Sequence, residues 1–152
     1  MRIWLAAVGK LRPGPMHDLY AEYAKRIVPA IHLREIEVRQ RLPDAALAAR
    51  EGELLLAAAP QNATVVVLDE RGTELPSAEF TVRIAGWRDG GVSDLAFLIG
   101  GASGHGQAVR ARAGFLLSLG RMTWPHLLAR VMLVEQLYRA QQIVAGHPYH
   151  RA

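Results

Sequence analysis

Two short apolar runs constrain this chain most. They are Val65–Val66–Val67–Leu68 and Leu95–Ala96–Phe97–Leu98–Ile99. Neither alternates with polar residues, as a strand with one wet face would. Unbroken runs of this length suit strands covered on both faces, as in a parallel sheet sandwiched between helices. Residues 3–8 form a third such run, closed by Gly9. Residues 115–119 form a short fourth, and 32–38 alternate loosely, as an edge strand does. Between them lie helical patterns. Residues 16–28 place Leu19, Tyr23 and Ile27 at fourfold spacing, 44–58 are rich in Ala, Leu and Glu, and 77–87 align Phe80, Ile84 and Trp87. Residues 107–113 read as a short helix, and 126–145 as a long one with Leu127, Val131, Val134 and Tyr138 on one face. The segment 69–72, Asp-Glu-Arg-Gly, reads as a charged turn. Strand and helix alternate throughout, which predicts one α/β domain over residues 1–152, with a mainly parallel sheet. No repeat or long linker divides the chain.

Composition excludes several classes. The chain has no cysteine, which rules out disulfides, thiol nucleophiles and thiolate metal sites. The apolar run at the start is too short for a secretory signal, and no stretch is long enough to span a bilayer. The expectation is a cytoplasmic protein with no membrane role. The formal charge of +4 is unevenly spread: from Arg110 onward there are six arginines against one acid, Glu135. A basic C-terminal part suits an anionic partner, nucleic acid first, or else arginines solvating the outer faces of helices.

Ligands of open α/β sheets bind beyond the carboxyl ends of the strands. Three segments end strands in this way: 68–72, 100–106 and 119–125. The middle one has four glycines in seven residues, which lets backbone approach a ligand closely or simply makes a tight turn. Known nucleotide motifs do not fit. Gly9–Lys10 lacks the rest of a phosphate-binding loop, and Gly100–Gly101–Ala102–Ser103–Gly104 is no dinucleotide fingerprint. His126, His147 and His150 lack zinc-site spacing, so no metal is expected. The hydrolase elbow is absent, which leaves Ser103 beside His105 as a remote candidate for a nucleophile and base. Asp69 is suited either to a ligand contact or to a cap and ion pair with Arg71. Glu135 and Arg139 are spaced for a helical ion pair. Tyr149, His150 and Arg151 put a stacking ring, a titratable ring and a fixed cation together at the tail, a set suited to a nucleotide.

The chain resembles the bacterial ribosomal RNA large-subunit methyltransferase H family, pseudouridine N3-methyltransferases of the trefoil-knotted SPOUT class. The resemblance runs from Ala6, Val8, Gly9 and Lys10 through Val67–Leu68–Asp69 and Leu98–Ile99–Gly100–Gly101. It continues over Leu117–Ser118–Leu119, Met122–Thr123, Pro125–His126 and Arg130–Val131. It ends on Glu135–Gln136–Leu137–Tyr138–Arg139–Ala140 and the specific tail His147–Pro148–Tyr149–His150–Arg151. It implies a three-layer sandwich with a C-terminal trefoil knot, S-adenosyl-L-methionine as methyl donor, 23S ribosomal RNA as substrate and a homodimer. It places donor contacts at Leu68, Gly100, Leu119, Gly120, Arg121, Met122, Thr123 and Trp124. It places Tyr149, His150 and Arg151 in the catalytic site of the partner subunit, and makes His126, Arg130 and Arg139 candidates for RNA or tail contacts. The chain departs from the family at Ala102–Ser103, where Pro–Glu is common, and at the compact basic loop 39–43. The lost glutamate motivates a second reading, a ribosome-associated RNA-binding protein without catalysis.

Overall fold

The computed structural model describes residues 1–150, apart from the side chain of His150. Five strands, β1 (Arg2–Val8), β2 (His32–Ile36), β3 (Thr64–Glu74), β4 (Asp94–Ile99) and β5 (Phe115–Ser118), form one sheet in the order β2-β1-β4-β3-β5. Every pairing is parallel. The intervening helices are α1 (Pro15–Ala24), α2 (Asp44–Ala58), α3 (Ser77–Asp89), α4 (Gln107–Arg112) and α5 (His126–Val144), and a 3-10 turn, Pro148–His150, follows.

The apolar runs act as their patterns require. Successive strand residues point to opposite faces. Ile3, Leu5, Ala7, Val66, Leu95, Phe97 and Ile99 therefore join one core with Tyr20 of α1, Phe80 of α3 and Val131, Val134 and Leu137 of α5. Ala6, Val8, Val65, Val67 and Leu98 join a second core with Leu55 of α2 and Val109 of α4. The sheet is the middle layer of three. β2 lies at an edge and is the least buried strand, in line with its loose alternation.

Two expectations are corrected. The first helix stops at Ala24, four residues early. The Arg26 and Ile27 amides turn back to the carbonyls of Tyr23 and Ala24, and this tighter turn swings Ile27 into the core. The charged segment 69–72 is not a turn between elements; it lies within β3. Leu68 pairs with Leu117 of β5, the strand bulges, and Thr73 then pairs with the same Leu117. The polar residues are tolerated there because Asp69 is held by the Arg71 amide at 2.9 Å and by Arg110 Nε at 3.0 Å. In the same bulge Gly72 presses on the backbone of β5. A Cβ at Gly72 would meet Leu116 C and O at 2.7 Å.

Gly72→Ala therefore has to push two backbone segments apart and is expected to cost about 2–3 kcal/mol of folding stability. Urea denaturation followed by circular dichroism checks this; an unchanged midpoint would refute the close approach.

Candidate functional site

Where β4 and β5 end and β3 bulges, the chain leaves a cleft of about 550 Å³. Clefts of this size accommodate nucleoside-sized ligands. Leu68 at the β3 bulge, with Ile99 and Leu117 toward the ends of β4 and β5, gives it apolar walls, and Gly100 and Gly101 give it bare backbone. The loop after β5 closes it with Leu119, Gly120, Met122, Thr123 and Trp124, and His126 stands at the start of α5. Of the donor contacts expected, only Arg121 is not among the lining residues; it is exposed to solvent.

The loops are built by local hydrogen bonds. Ser118 Oγ donates to the Gly120 carbonyl at 3.0 Å and accepts the Gly120 amide at 3.1 Å. Gly120 takes a φ of +115°, which only glycine adopts readily. Trp124 Nε1 donates to the Leu119 carbonyl at 3.3 Å, laying the indole along the loop. In the glycine segment, the Gly104 amide closes a turn on the Gly101 carbonyl at 3.1 Å. Turn and ligand wall thus coexist there. Gly100 and Gly101 are needed for space rather than for dihedral freedom. A Cβ at Gly100 would lie 2.9 Å from His105 Cε1, and one at Gly101 would lie 3.0 Å from Glu51 Oε2.

Two buried side chains, Glu51 and His105, support the glycine segment. Glu51 of α2 is buried beneath the glycine segment and accepts the Gly101 amide, and its Oε2 has no partner among the described residues. Burial holds its pKa above the usual carboxylate range, partly offset by that amide. Nothing local in the sequence separates Glu51 from a solvated helix residue. His105 is buried with Nε2 3.0 Å from the Leu68 carbonyl oxygen. Ser103 Oγ instead faces Asp44 Oδ1 at 3.5 Å. The two side chains point to different partners, so the nucleophile–base pairing is not assembled.

The comparisons with known proteins agree with this architecture. A family model described as "Predicted SPOUT methyltransferase" matches residues 1–150. The chain belongs to the SPOUT methyltransferase family. It is 55% identical over 151 residues to a Paramagnetospirillum magneticum protein named ribosomal RNA large subunit methyltransferase H, with 99% of both chains covered. A Rhodospirillum centenum protein of the same name is 55% identical over 152 residues, covering 100% of both. Among solved structures, the SpoU methyltransferase AviRb from Streptomyces viridochromogenes shares the fold at a TM-score of 0.51 and 13% identity, with 96% of this chain and 61% of that chain covered.

In this SPOUT methyltransferase the expected RNA and tail residues separate. Arg130 is corrected: its side chain is 0% exposed, so it cannot meet RNA on the surface. Its Nη1 pairs with Glu35 Oε2 at 2.6 Å, and its Nη2 donates to the carbonyls of Gly9 at 2.8 Å and Val8 at 3.1 Å. Arg139 is engaged within the chain, donating to Glu135 Oε1 at 2.6 Å from Nη2 and lying 5.1 Å from the Tyr149 ring centroid. Tyr149 sits on α5, donating to Glu135 Oε1 at 3.0 Å, with its ring edge-on to Tyr138 at 4.8 Å. Burial and the neighbouring carboxylate raise its pKa, so the hydroxyl stays protonated. Tyr149 is not among the residues lining the cleft of its own chain. The His150 side chain and Arg151 lie outside the described residues. His126 is half-buried, packs on Gly9 and borders the cleft; burial, with Arg130 nearby, lowers its pKa and favours the neutral ring.

Glu35→Gln leaves the Arg130 cation buried without its counter-charge. It is expected to cost about 3 kcal/mol, and the double variant with Arg130→Met to recover part of that. Urea midpoints of the single and double variants check this; a double variant no better than Glu35→Gln alone would contradict it.

Proposed function

We propose that this SPOUT methyltransferase transfers a methyl group from S-adenosyl-L-methionine to 23S ribosomal RNA of the large subunit, at N3 of a pseudouridine. The observation that carries the reading is the strand-end cleft, coupled with near-complete matches to relatives named for ribosomal RNA large-subunit methylation. The cleft fits the donor chemically. Leu68, Ile99, Leu117, Met122 and Trp124 offer apolar surface for a purine ring, and Met122 and Thr123 bring loop backbone to the cleft for its polar edge. Gly100 and Gly101 leave room for the sugar and amino-acid parts.

The bound donor supplies an electrophilic methyl group on a sulfonium. N3 of the base loses its proton and takes that methyl: the N3–C bond forms as the S–C bond breaks. The protein's task is to align the two and to steady the imide anion. Arg151 is placed by this reading to face a carbonyl oxygen flanking N3, where charge develops. His150 accepts the N3 proton or orients the base. Tyr149 seats the tail.

A homodimer belongs to the same proposal. The tail of one chain lies on its own α5 at Tyr149, so the cleft is completed by the tail of a second copy. The knot belongs to it as well, supported by the match to the SPOUT methyltransferase family over residues 1–150.

Tritiated methyl transfer to large subunits or ribosomes lacking the modification tests the activity; background transfer sinks it and favours the non-catalytic RNA-binding reading. Shared sites are tested by mixing Gly100→Val, which fills the cleft, with Arg151→Ala, which disables the tail. Each alone should be inactive. Co-refolded, they should regain about a quarter of wild-type activity, since half the dimers are mixed and each of those holds one intact site. No recovery would place the tail in its own chain's cleft.

A further inference from the structure

We infer that His105 is a positioning residue of the methyl-donor cleft, whose ring ties β3 at its bulge to the end of β4 and so fixes the Leu68 carbonyl and the Gly100 backbone as its floor. The inference rests on the methyl-donor reading of that cleft. His105 follows the turn closed at Gly104 and precedes Gly106, the N-cap of α4. The glycines on either side give the backbone freedom to turn inward. The ring is only 8% exposed and still borders the cleft.

The geometry supplies one hydrogen bond and one close packing contact. Nε2 lies 3.0 Å from the Leu68 carbonyl oxygen. A carbonyl only accepts, so Nε2 carries the hydrogen and the neutral ring keeps its lone pair on Nδ1. The flat of the ring occupies the space before Gly100, where a Cβ would come within 2.9 Å of Cε1 and 3.1 Å of Nδ1. Leu68 and Ile99 are direct partners in the β3–β4 register. One side chain therefore meets β3 at its bulge and the backbone just after β4, where both border the cleft. Without the ring, the Leu68 carbonyl is free to rotate and the glycine segment to sag into the vacated space.

The charge state suits a cationic ligand. Burial is the main influence lowering the His105 pKa, and Arg110 adds to it, while the Leu68 carbonyl and Asp69 act the other way. The ring is then neutral near pH 7, and the floor presents no further positive charge to a sulfonium.

Calorimetric titration with S-adenosylmethionine of the wild-type protein, His105→Leu and His105→Gln tests the inference. Glutamine can still donate to the Leu68 carbonyl; leucine cannot. His105→Leu should weaken binding about tenfold, the scale of one lost hydrogen bond with its ordering, and His105→Gln should stay within about threefold of wild type. If the wild type binds and His105→Leu binds equally well, the inference falls and the cleft assignment stands. If His105→Gln is as weak as His105→Leu, the hydrogen bond is not what positions the site. A wild type that binds no donor overturns the cleft assignment and the inference with it. Long-range nitrogen–proton spectra of the wild-type histidines add a readout that needs no variant to fold. They should show hydrogen on Nε2 of His105 and shifts on adding S-adenosylhomocysteine that exposed His17 does not show. Hydrogen on Nδ1, or no response, would overturn the inference.

Discussion

The buried guanidinium of Arg130 is the constraint on which the rest of the site depends. A cation removed from water has to be neutralised and its donors satisfied. Glu35 on β2 supplies the charge, and the Val8 and Gly9 carbonyls at the end of β1 take the other donors. Glu35 Oε2 also accepts the Leu11 amide at 2.7 Å, tying in the loop after β1. These bonds fix the first turns of α5 across the ends of β1 and β2. Because α5 begins at His126, they also fix where the loop from β5 must arrive, and hence one whole side of the cleft. Arg130 Nε has no partner among the described residues, so this anchor is held by its terminal nitrogens.

The same ion-pairing logic changes the meaning of the basic C-terminal part. Its excess of arginine suggests an RNA-facing surface when read as a string. In the fold, Arg110 neutralises Asp69, Arg112 donates to the Gln61 and Ala63 carbonyls, Arg130 is internal, and Arg139 holds Glu135. Arg112 and Arg121 are the exposed two of the five described. Much of the positive charge stitches late elements to earlier ones instead of awaiting a polyanion. Net charge reports on long-range attraction; it does not say which cations are already engaged.

The glycine segment shows a similar shift from local to spatial causes. Glycine content signals either a turn or a ligand loop, and both prove to hold. The dihedral requirement falls on Gly104, with a φ of +73°. Gly100 and Gly101 are instead small because His105 and Glu51 lie beneath them. His105 was adjacent in sequence and visible as a candidate, although for different chemistry. Glu51 lies fifty residues earlier on α2, and no periodicity distinguishes it from the other charged residues of that helix.

By itself, the sequence determined the layer architecture, the parallel strands and the three segments, 68–72, 100–106 and 119–125, that border the cleft. Those features depend on period, apolar continuity and turn residues, which are local properties of the chain. The motif resemblance, from Val67–Leu68–Asp69 to the histidine-proline-tyrosine tail, also determined the family. Only the tertiary structure decided that 69–72 belongs inside β3, that Arg130 is an internal strut, and that Tyr149 lies on its own helix away from the cleft. Each of these depends on a partner far along the chain: β5 for the bulge, Glu35 for the arginine, and Glu135 with Tyr138 for the tyrosine. Burial and charge pairing are set by what the fold brings alongside a residue, and a residue's own neighbours in the chain do not encode that.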